Sequence, residues 1–202
     1  MTNPANVDKV YAILLAAGSA TRYGGGKQTA AWLDSTLVRH ASNLAASCCA
    51  ERTILVTGHD WTTVKSACDP LSGGFVVNEN YADGVGSSIA QAVRSVRHAA
   101  SAVLVMLADQ PLVTSGHLAN LVATWTGGEN EIVASAYAGT VGVPALFGAG
   151  CFADLCALSG DQGARKLLLD PKFDVQTIAF EDAAADVDTS QDLVRIARNA
   201  RS

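Results

Sequence analysis

Apolar residues fall in short blocks along the chain, and the spacing within the blocks changes from one to the next. Positions 10–17, VYAILLAA, form a run of eight apolar or small residues. The run is too short for an ordinary helix and lacks helical periodicity, so it reads as a strand buried on both faces. Leu37, Val38, Ala41, Leu44 and Ala45 then recur at helical spacing, which predicts a helix capped by Ser35 and running to about Ala50. Positions 52–57, RTILVT, read as a second buried strand, followed by Gly58 and a helix over 61–68. Pro70, Gly73 and Gly74 break the chain before a short strand at 75–77. A polar, turn-rich stretch, NENYADGVGSS at 78–88, leads into a helix through Ala90, Val93 and Val96, with Ser87 and Ser88 as its expected caps. AVLVML at 102–107 is the most hydrophobic strand. A helix over 114–125 is closed by Gly127 and Gly128, and two strands at 131–137 and 141–147 follow, joined by a Gly-containing turn. GDQGAR at 160–165 opens a helix through Leu169, with Asp161 as a candidate cap, and 173–180 forms a late strand. A terminal helix carries Leu193, Val194, Ile196 and Ala197 on its apolar side. The alternation of strand and helix is the βαβ rhythm of a mainly parallel sheet covered by helices.

With 202 residues and 49% hydrophobic content the chain can bury one substantial core, and no composition shift marks a linker, so residues 1–202 are expected to form a single domain. Fourteen basic against nineteen acidic residues give a net charge of −5, and the basic residues form no dense stripe, which argues against a nucleic-acid surface. A bound nucleotide remains compatible, since it needs only local cations. The N-terminal MTNPANVDK has no apolar segment and nowhere do eighteen apolar residues run together; no membrane or export signal is read, and a cytoplasmic location is expected. Five cysteines with no CxxC pair argue for reduced, mostly buried thiols rather than a disulfide framework or a zinc site. The four histidines show no HExxH spacing, and no GxSxG accompanies them.

The chemistry begins where the first strand breaks. From Gly18 to Lys27 the chain has four glycines, the hydroxyls of Ser19 and Thr21, and two cations, Arg22 and Lys27. Such a loop lets backbone N–H groups approach a ligand closely while positive side chains reach over it, an arrangement suited to a polyphosphate. It is not a Walker A motif, which would need glycine at 21 and Ser or Thr at 28, where the chain has Thr21 and Gln28. Nor is it a dinucleotide fingerprint, since Ala20 and Tyr23 stand where glycines would be required. Asp109, at the end of the most hydrophobic strand, is well placed to hold a metal against a bound triphosphate; as a turn former before Pro111 it would have a purely structural role. Asp188 precedes the last helix and could simply start it. Brought to the same rim as Asp109, it would complete an oxygen-rich site suited to Mg²⁺.

These stretches together resemble the nucleotidyltransferases that modify the molybdenum cofactor. The LAAGxSxRxGxxK signature is carried by Leu15, Ala16, Ala17, Gly18, Arg22, Gly24 and Lys27, with Ala20 in place of the family's serine. The polar stretch resembles the family's N..Y..G..SS segment, and the resemblance assigns Asn80, Gly84, Ser87 and Ser88 to the nucleotide cleft. LADQP at 107–111 matches the segment holding a magnesium-binding aspartate, here Asp109, and DVDT at 186–189 matches the second metal aspartate, here Asp188. Gly142, Val143 and Pro144 stand where relatives often show Gly-His-Pro, Val143 being the departure, and Gly142 and Pro144 with Asp161 and Arg165 of GDQGAR are implied to meet the substrate. The resemblance implies a three-layer α/β/α sandwich with a Rossmann-like, mainly parallel sheet of the nucleotide-diphospho-sugar transferase type and an antiparallel excursion near 131–147. It also implies the reaction: an NTP, with CTP preferred, transfers NMP to the phosphate of molybdopterin and releases pyrophosphate. Lys27 would meet the α-phosphate, Arg22 and the amides of 18–26 the outer phosphates, and Asp109 and Asp188 a Mg²⁺ ion. GMP transfer from GTP, transfer to a sugar phosphate, and a non-catalytic accessory protein that delivers cofactor to a molybdenum hydroxylase are the other readings.

Overall fold

The computed structural model describes residues 9–200, so the polar N-terminal stretch read above lies, up to residue 8, outside the described residues. The chain runs through β1 (Val10–Ala16), a hairpin of two-residue strands β2 (Ala31–Trp32) and β3 (Ser35–Thr36), then α1 (Leu37–Cys49), β4 (Thr53–Thr57), α2 (Trp61–Ala67) and β5 (Gly74–Val77). It continues through α3 (Val85–Val96), β6 (Ala102–Leu107), α4 (Ser115–Thr124), β7 (Glu131–Tyr137) and β8 (Thr140–Gly148). Two short helices, α5 (Phe152–Cys156) and α6 (Arg165–Leu168), precede β9 (Asp174–Ala179) and α7 (Ser190–Asn199). The seven-stranded sheet has the order β5-β4-β1-β6-β8-β7-β9. Its β5, β4, β1 and β6 are parallel, β8 runs antiparallel to both β6 and β7, and β9 returns to parallel pairing with β7. The expected antiparallel excursion is therefore β8. Its direction follows from a two-residue turn, Ala138 (φ 48°) and Gly139 (φ 70°), whose paired positive dihedrals suit a tight hairpin.

Both faces of the central strands are covered, which is why β1, β4 and β6 are nearly continuous apolar runs. Along β1, Val10, Ala12, Leu14 and Ala16 face one layer, while Ile13 and Leu15 face the other. The first layer is completed by Val38, Ala41 and Ala45 of α1 and Leu118 and Leu121 of α4, the second by Ile89, Val93 and Val96 of α3 with Phe152 and Leu155 of α5. A smaller cluster of Trp32, Leu37, Val187 and Ile196 seats α7 against the hairpin. Among the described residues no helix is long and apolar enough to cross a membrane. All five cysteines are free, and burial pushes the Cys49 and Cys151 thiols up to about 12 and Cys68 to about 11, so these three are packing residues rather than nucleophiles.

Several helix starts differ from the expectation, each for a local reason. Thr36, not Ser35, caps α1: its extended backbone lets Oγ1 accept from the Arg39 N–H, while Ser35 is occupied in β3. Helix α3 starts at Val85, so Ser87 and Ser88 lie inside its first turns instead of capping it. Asp161 caps nothing, because α6 begins only at Arg165 with Ala164 at the cap position, and Leu169 falls beyond its end. Helix α7 is opened not by Asp188 but by a capping box of Thr189 and Asp192.

Candidate active site

A cavity of about 620 Å³ opens at the carboxyl ends of β1 and β6, the place where an open α/β sheet offers a crevice to a ligand. One wall is the end of β1 and the loop after it, from Leu15 to Ala20, with Lys27 and Gln28. The opposite wall is the loop entering α3, with Tyr81, Gly84, Val85 and Ser88. Leu107, Ala108 and Asp109 line the end of β6, and Asp161 contributes from the segment before α6.

The loop owes its shape to its glycines. Gly24, Gly25 and Gly26 have φ of 93°, 92° and 64°, so three consecutive residues sit in the left-handed region that glycine adopts without a Cβ penalty. The Ala20 carbonyl accepts from the N–H groups of Tyr23 and Gly25, and the buried Gln28 side chain donates to the Gly18 carbonyl at 2.7 Å, tying the two ends of the loop together. A Cβ built on Gly18, Gly24 or Gly25 would meet nothing within 4 Å. Room is thus left on the loop where a polyphosphate would lie. Arg22, with 81% of its side chain exposed, lies outside the cavity lining and approaches Asp188 at 3.7 Å.

Lys27 and Asp109, expected separately as a phosphate contact and a metal ligand, meet directly: Nζ donates to Oδ2 at 2.5 Å, with only 12% and 25% of the two side chains exposed. The other oxygen, Asp109 Oδ1, is buried and has no hydrogen-bond partner. The position of Asp109 is fixed by the backbone. The Ala108 N–H donates to the Leu15 carbonyl at 3.0 Å, and the Val187 N–H donates to the Asp109 carbonyl at 2.9 Å. That second bond lays the DVDT segment along the end of β6, with Asp186 and Asp188 on either side of the buried Val187. Asp186 keeps part of its side chain exposed, yet partial desolvation of its carboxyl, then the like charge of Asp109, pushes its pKa up to about 6. A carboxylate oxygen without a partner, beside further carboxylates on a pinned segment, fits a divalent cation that takes oxygen ligands. Asp186 was not singled out from sequence. The signal was its place two residues from Asp188, since alternate residues of an extended segment point the same way.

The remaining candidates divide. Ser88 and Gly84 line the cavity; Asn80 and Ser87 lie on the outer side of the same loop. The buried residue that organises this loop is Asn78, whose amide donates to Ser87 Oγ at 2.8 Å and Ser88 Oγ at 2.9 Å. Gly84, at φ 96°, is pressed so closely on the 160–161 backbone that a Cβ would lie 2.3 Å from the Gly160 carbonyl carbon, which joins the α3 loop to the GDQGAR segment. Gly142 and Pro144 lie in β8 beyond Asp109. The ladder pairs Ala134 with Ala145 but Ser135 with Gly142, so Val143 and Pro144 bulge out of it. Side chains then satisfy the bulge. Tyr137 Oη donates to the Val143 carbonyl at 3.2 Å, and Ser135 Oγ donates to the Pro144 carbonyl at 2.6 Å while accepting from His117 Nε2 at 2.7 Å. Arg165 stands at the start of α6 and acts electrostatically on Tyr137, whose pKa is raised chiefly by burial and next by Asp186. Among the described residues no three His, Cys, Asp or Glu side chains form a ready-made metal cage, so any cation here shares its coordination with ligand oxygens.

The family described as the MobA-like NTP transferase domain matches residues 12–175. The solved structure of Rv0371c from Mycobacterium tuberculosis H37Rv superimposes with a TM-score of 0.83 at 28% identity, over 95% of this chain and 99% of that one. A complex of Rv0371c with manganese has also been solved. Its homologue from Mycobacterium sp. strain JC1 gives a TM-score of 0.81 at 30% identity, over 96% and 98% of the two chains. The purine catabolism protein PucB of Bacillus subtilis (strain 168) is 35% identical over 86 residues, 42% of this chain and 40% of PucB, so the match spans about two-fifths of that curated relative.

Proposed function

Because the chain belongs to the MobA-like NTP transferase family, we propose that it is a Mg²⁺-dependent nucleotidyltransferase that moves CMP from CTP to the phosphate of molybdopterin and releases pyrophosphate. The observation that carries the reading is the Lys27–Asp109 pair at the mouth of the cavity, with Asp109 Oδ1 left unpartnered beside an open glycine loop. An acceptor phosphate oxygen attacks the α-phosphorus, the bond from that phosphorus to the bridging oxygen of pyrophosphate breaks, and the leaving group carries the charge away. No protein nucleophile is required. Both reactants are anions, so the residues must suppress repulsion and hold the reacting atoms in line. Lys27 supplies a fixed positive charge to the α-phosphate. Arg22 is held by an exposed ion pair worth little in water and is readily exchanged for the outer phosphates. The loop of 18–26 admits those phosphates, and Ser88 and Asp161 border the cavity. Asp109 and Asp188, with Asp186 beside them, would hold the Mg²⁺, which when bound neutralises phosphate charge and aligns donor with acceptor. Gly142, Pro144 and Arg165 would face the acceptor.

Ala20 and Val143, where the family pattern has serine and histidine, favour a second reading, a non-catalytic accessory protein that binds the cofactor for a molybdenum hydroxylase. Pyrophosphate release by the purified chain with Mg²⁺ and molybdenum-loaded molybdopterin, compared for CTP, GTP, ATP and UTP and with Asp109→Ala as control, decides between them. Release with CTP that vanishes in the variant is the expected result. Preference for GTP or another NTP keeps the mechanism and moves the base, and turnover of a sugar phosphate in place of molybdopterin moves the acceptor. Tight cofactor binding without turnover of any NTP leaves the accessory protein.

A further inference from the structure

Gln110 follows Asp109 directly and is 3% exposed, a buried polar side chain at the end of β6. Its Nε2 donates to the Ala183 carbonyl at 2.9 Å and to the Val143 carbonyl at 3.4 Å. Ala183 belongs to the 3-10 turn Glu181–Ala184 that leads into Asp186 and Asp188, and Val143 is the centre of the bulge in β8. The Val143 carbonyl also accepts from Tyr137 Oη, whose ring passes so close that a Cβ on Gly142 would lie 2.1 Å from that oxygen. One carboxamide therefore touches three segments: the end of β6 that carries Asp109, the segment that carries Asp186 and Asp188, and the Gly142–Pro144 bulge.

The choice of a carboxamide is informative. The Ala183 and Val143 carbonyls both accept from the amide nitrogen, the Asp186 carboxyl and the Tyr137 hydroxyl also lie within reach of the carboxamide, and Oε1 is left buried without a hydrogen-bond partner among the described residues. An unpaired buried acceptor carries a desolvation penalty that a leucine or methionine of similar volume would avoid. A residue selected only to fill the core would be apolar.

We propose that Gln110 is a positioning residue: its carboxamide sets the spacing between the metal-facing carboxylates and the Gly142–Pro144 bulge, and so holds the acceptor against the nucleotide cavity. Its contacts stand on the geometry; the identity of the acceptor rests on the nucleotidyltransferase reading above. Because Gln110 and Tyr137 share the Val143 carbonyl, their effects are coupled, and because neither lines the cavity, nucleotide affinity is spared.

The test measures the dissociation constants of molybdopterin and of CTP, together with turnover, for the full chain, Gln110→Glu, Tyr137→Phe and the double variant. Gln110→Glu keeps the shape and replaces the amide donor with an acceptor; it is expected to weaken molybdopterin binding by about tenfold while CTP binding stays within about twofold. Tyr137→Phe, which loses a single hydroxyl and keeps its ring, is expected to weaken molybdopterin binding by about threefold and to combine with the first less than multiplicatively. Should Gln110→Glu fail to fold, the molybdopterin-to-CTP split in Tyr137→Phe decides. Equal losses for both ligands, or unchanged molybdopterin binding in the folded variants, would overturn the assignment. Turnover tests the parent reading separately: a wild-type chain that binds molybdopterin but turns over no NTP ends the enzyme reading, and the split in affinities still decides on Gln110. A wild-type chain that does not bind molybdopterin ends both.

Discussion

Replacing Lys27 by methionine keeps most of the apolar stem and removes the ammonium. In the folded chain that ammonium is 2.5 Å from Asp109 Oδ2, the two side chains are 12% and 25% exposed, and Oδ1 has no partner of its own. Among the described residues the Asp109 carboxylate makes no other side-chain hydrogen bond, so Lys27→Met leaves it uncompensated in a mostly enclosed place. Removing one member of a fully buried pair costs about 3–5 kcal/mol and of an exposed pair about 0.2–1 kcal/mol; discounted for its exposed quarter, this pair falls near 2 kcal/mol. For a chain of this size that lowers Tm by roughly 4–8 °C. The assay is a thermal melt of wild type and variant, each with and without Mg²⁺ or Mn²⁺. A divalent cation can take the place of the ammonium beside Asp109, and a ligand that binds only the folded state stabilises it by mass action. Cation is therefore expected to raise the Tm of Lys27→Met by more than it raises that of wild type. Pyrophosphate release is expected to fall by about 10²–10³-fold, as when one preorganised donor to the transition state is lost. A variant whose Tm matches wild type, or whose response to cation is no larger, would refute the view that this lysine neutralises a metal-ready carboxylate.

Two further substitutions probe the frame around the cavity. Gly84→Ala forces a Cβ to 2.3 Å from the Gly160 backbone at φ 96° and is expected to cost about 2–4 kcal/mol, read as a drop in Tm. A melt unchanged from wild type would show that the contact between the α3 loop and the 160–163 segment yields freely. His117 is buried against Phe180, with ring centroids 4.0 Å apart, and burial lowers its pKa from the ordinary 6.5. The unfolded chain therefore takes up this proton before the folded one, so the contribution of His117 to stability is present above about pH 6.5 and declines as pH falls below it. His117→Gln is expected to flatten the loss of urea resistance between pH 7.5 and pH 5.5, with a residual slope because burial also lowers the pKa of His40. Identical slopes in the two proteins would contradict this reading.

What could be read from the sequence divides by range. Strands β1, β4 and β6, of seven, five and six residues, were legible because a parallel strand covered on both faces must be apolar throughout, whereas a surface helix alternates. Lys27 and Asp109 were legible separately, as a cation facing phosphate and a carboxylate facing metal; their contact comes from the β1–β6 pairing, which brings the loop after β1 to the end of β6. Helix starts were less so. Ser35 and Thr36 are adjacent and chemically alike, and only the two-residue hairpin decides which is free to cap. Ser87 and Ser88 are natural caps in isolation, but Gly84 and its close approach to Gly160 start the helix earlier. Gln110, Tyr137 and Asp186 carried no periodic signal. Their significance comes from a bulge in β8 and from a turn more than seventy positions after Gln110, both of which depend on long-range packing.

Gly18 differs from the other glycines of the loop. Gly24, Gly25 and Gly26 are held in left-handed backbone, so their lack of a side chain serves the fold. Gly18 is outside that region, and a methyl group added there would touch no atom of the protein within 4 Å. Gly18 lines the cavity. An alanine at this position would leave folding undisturbed and change one thing, the shape presented to whatever enters. Glycine at position 18 is thus the mark of the visitor rather than of the host, and any affinity lost on Gly18→Ala measures directly how closely a ligand lies against the backbone.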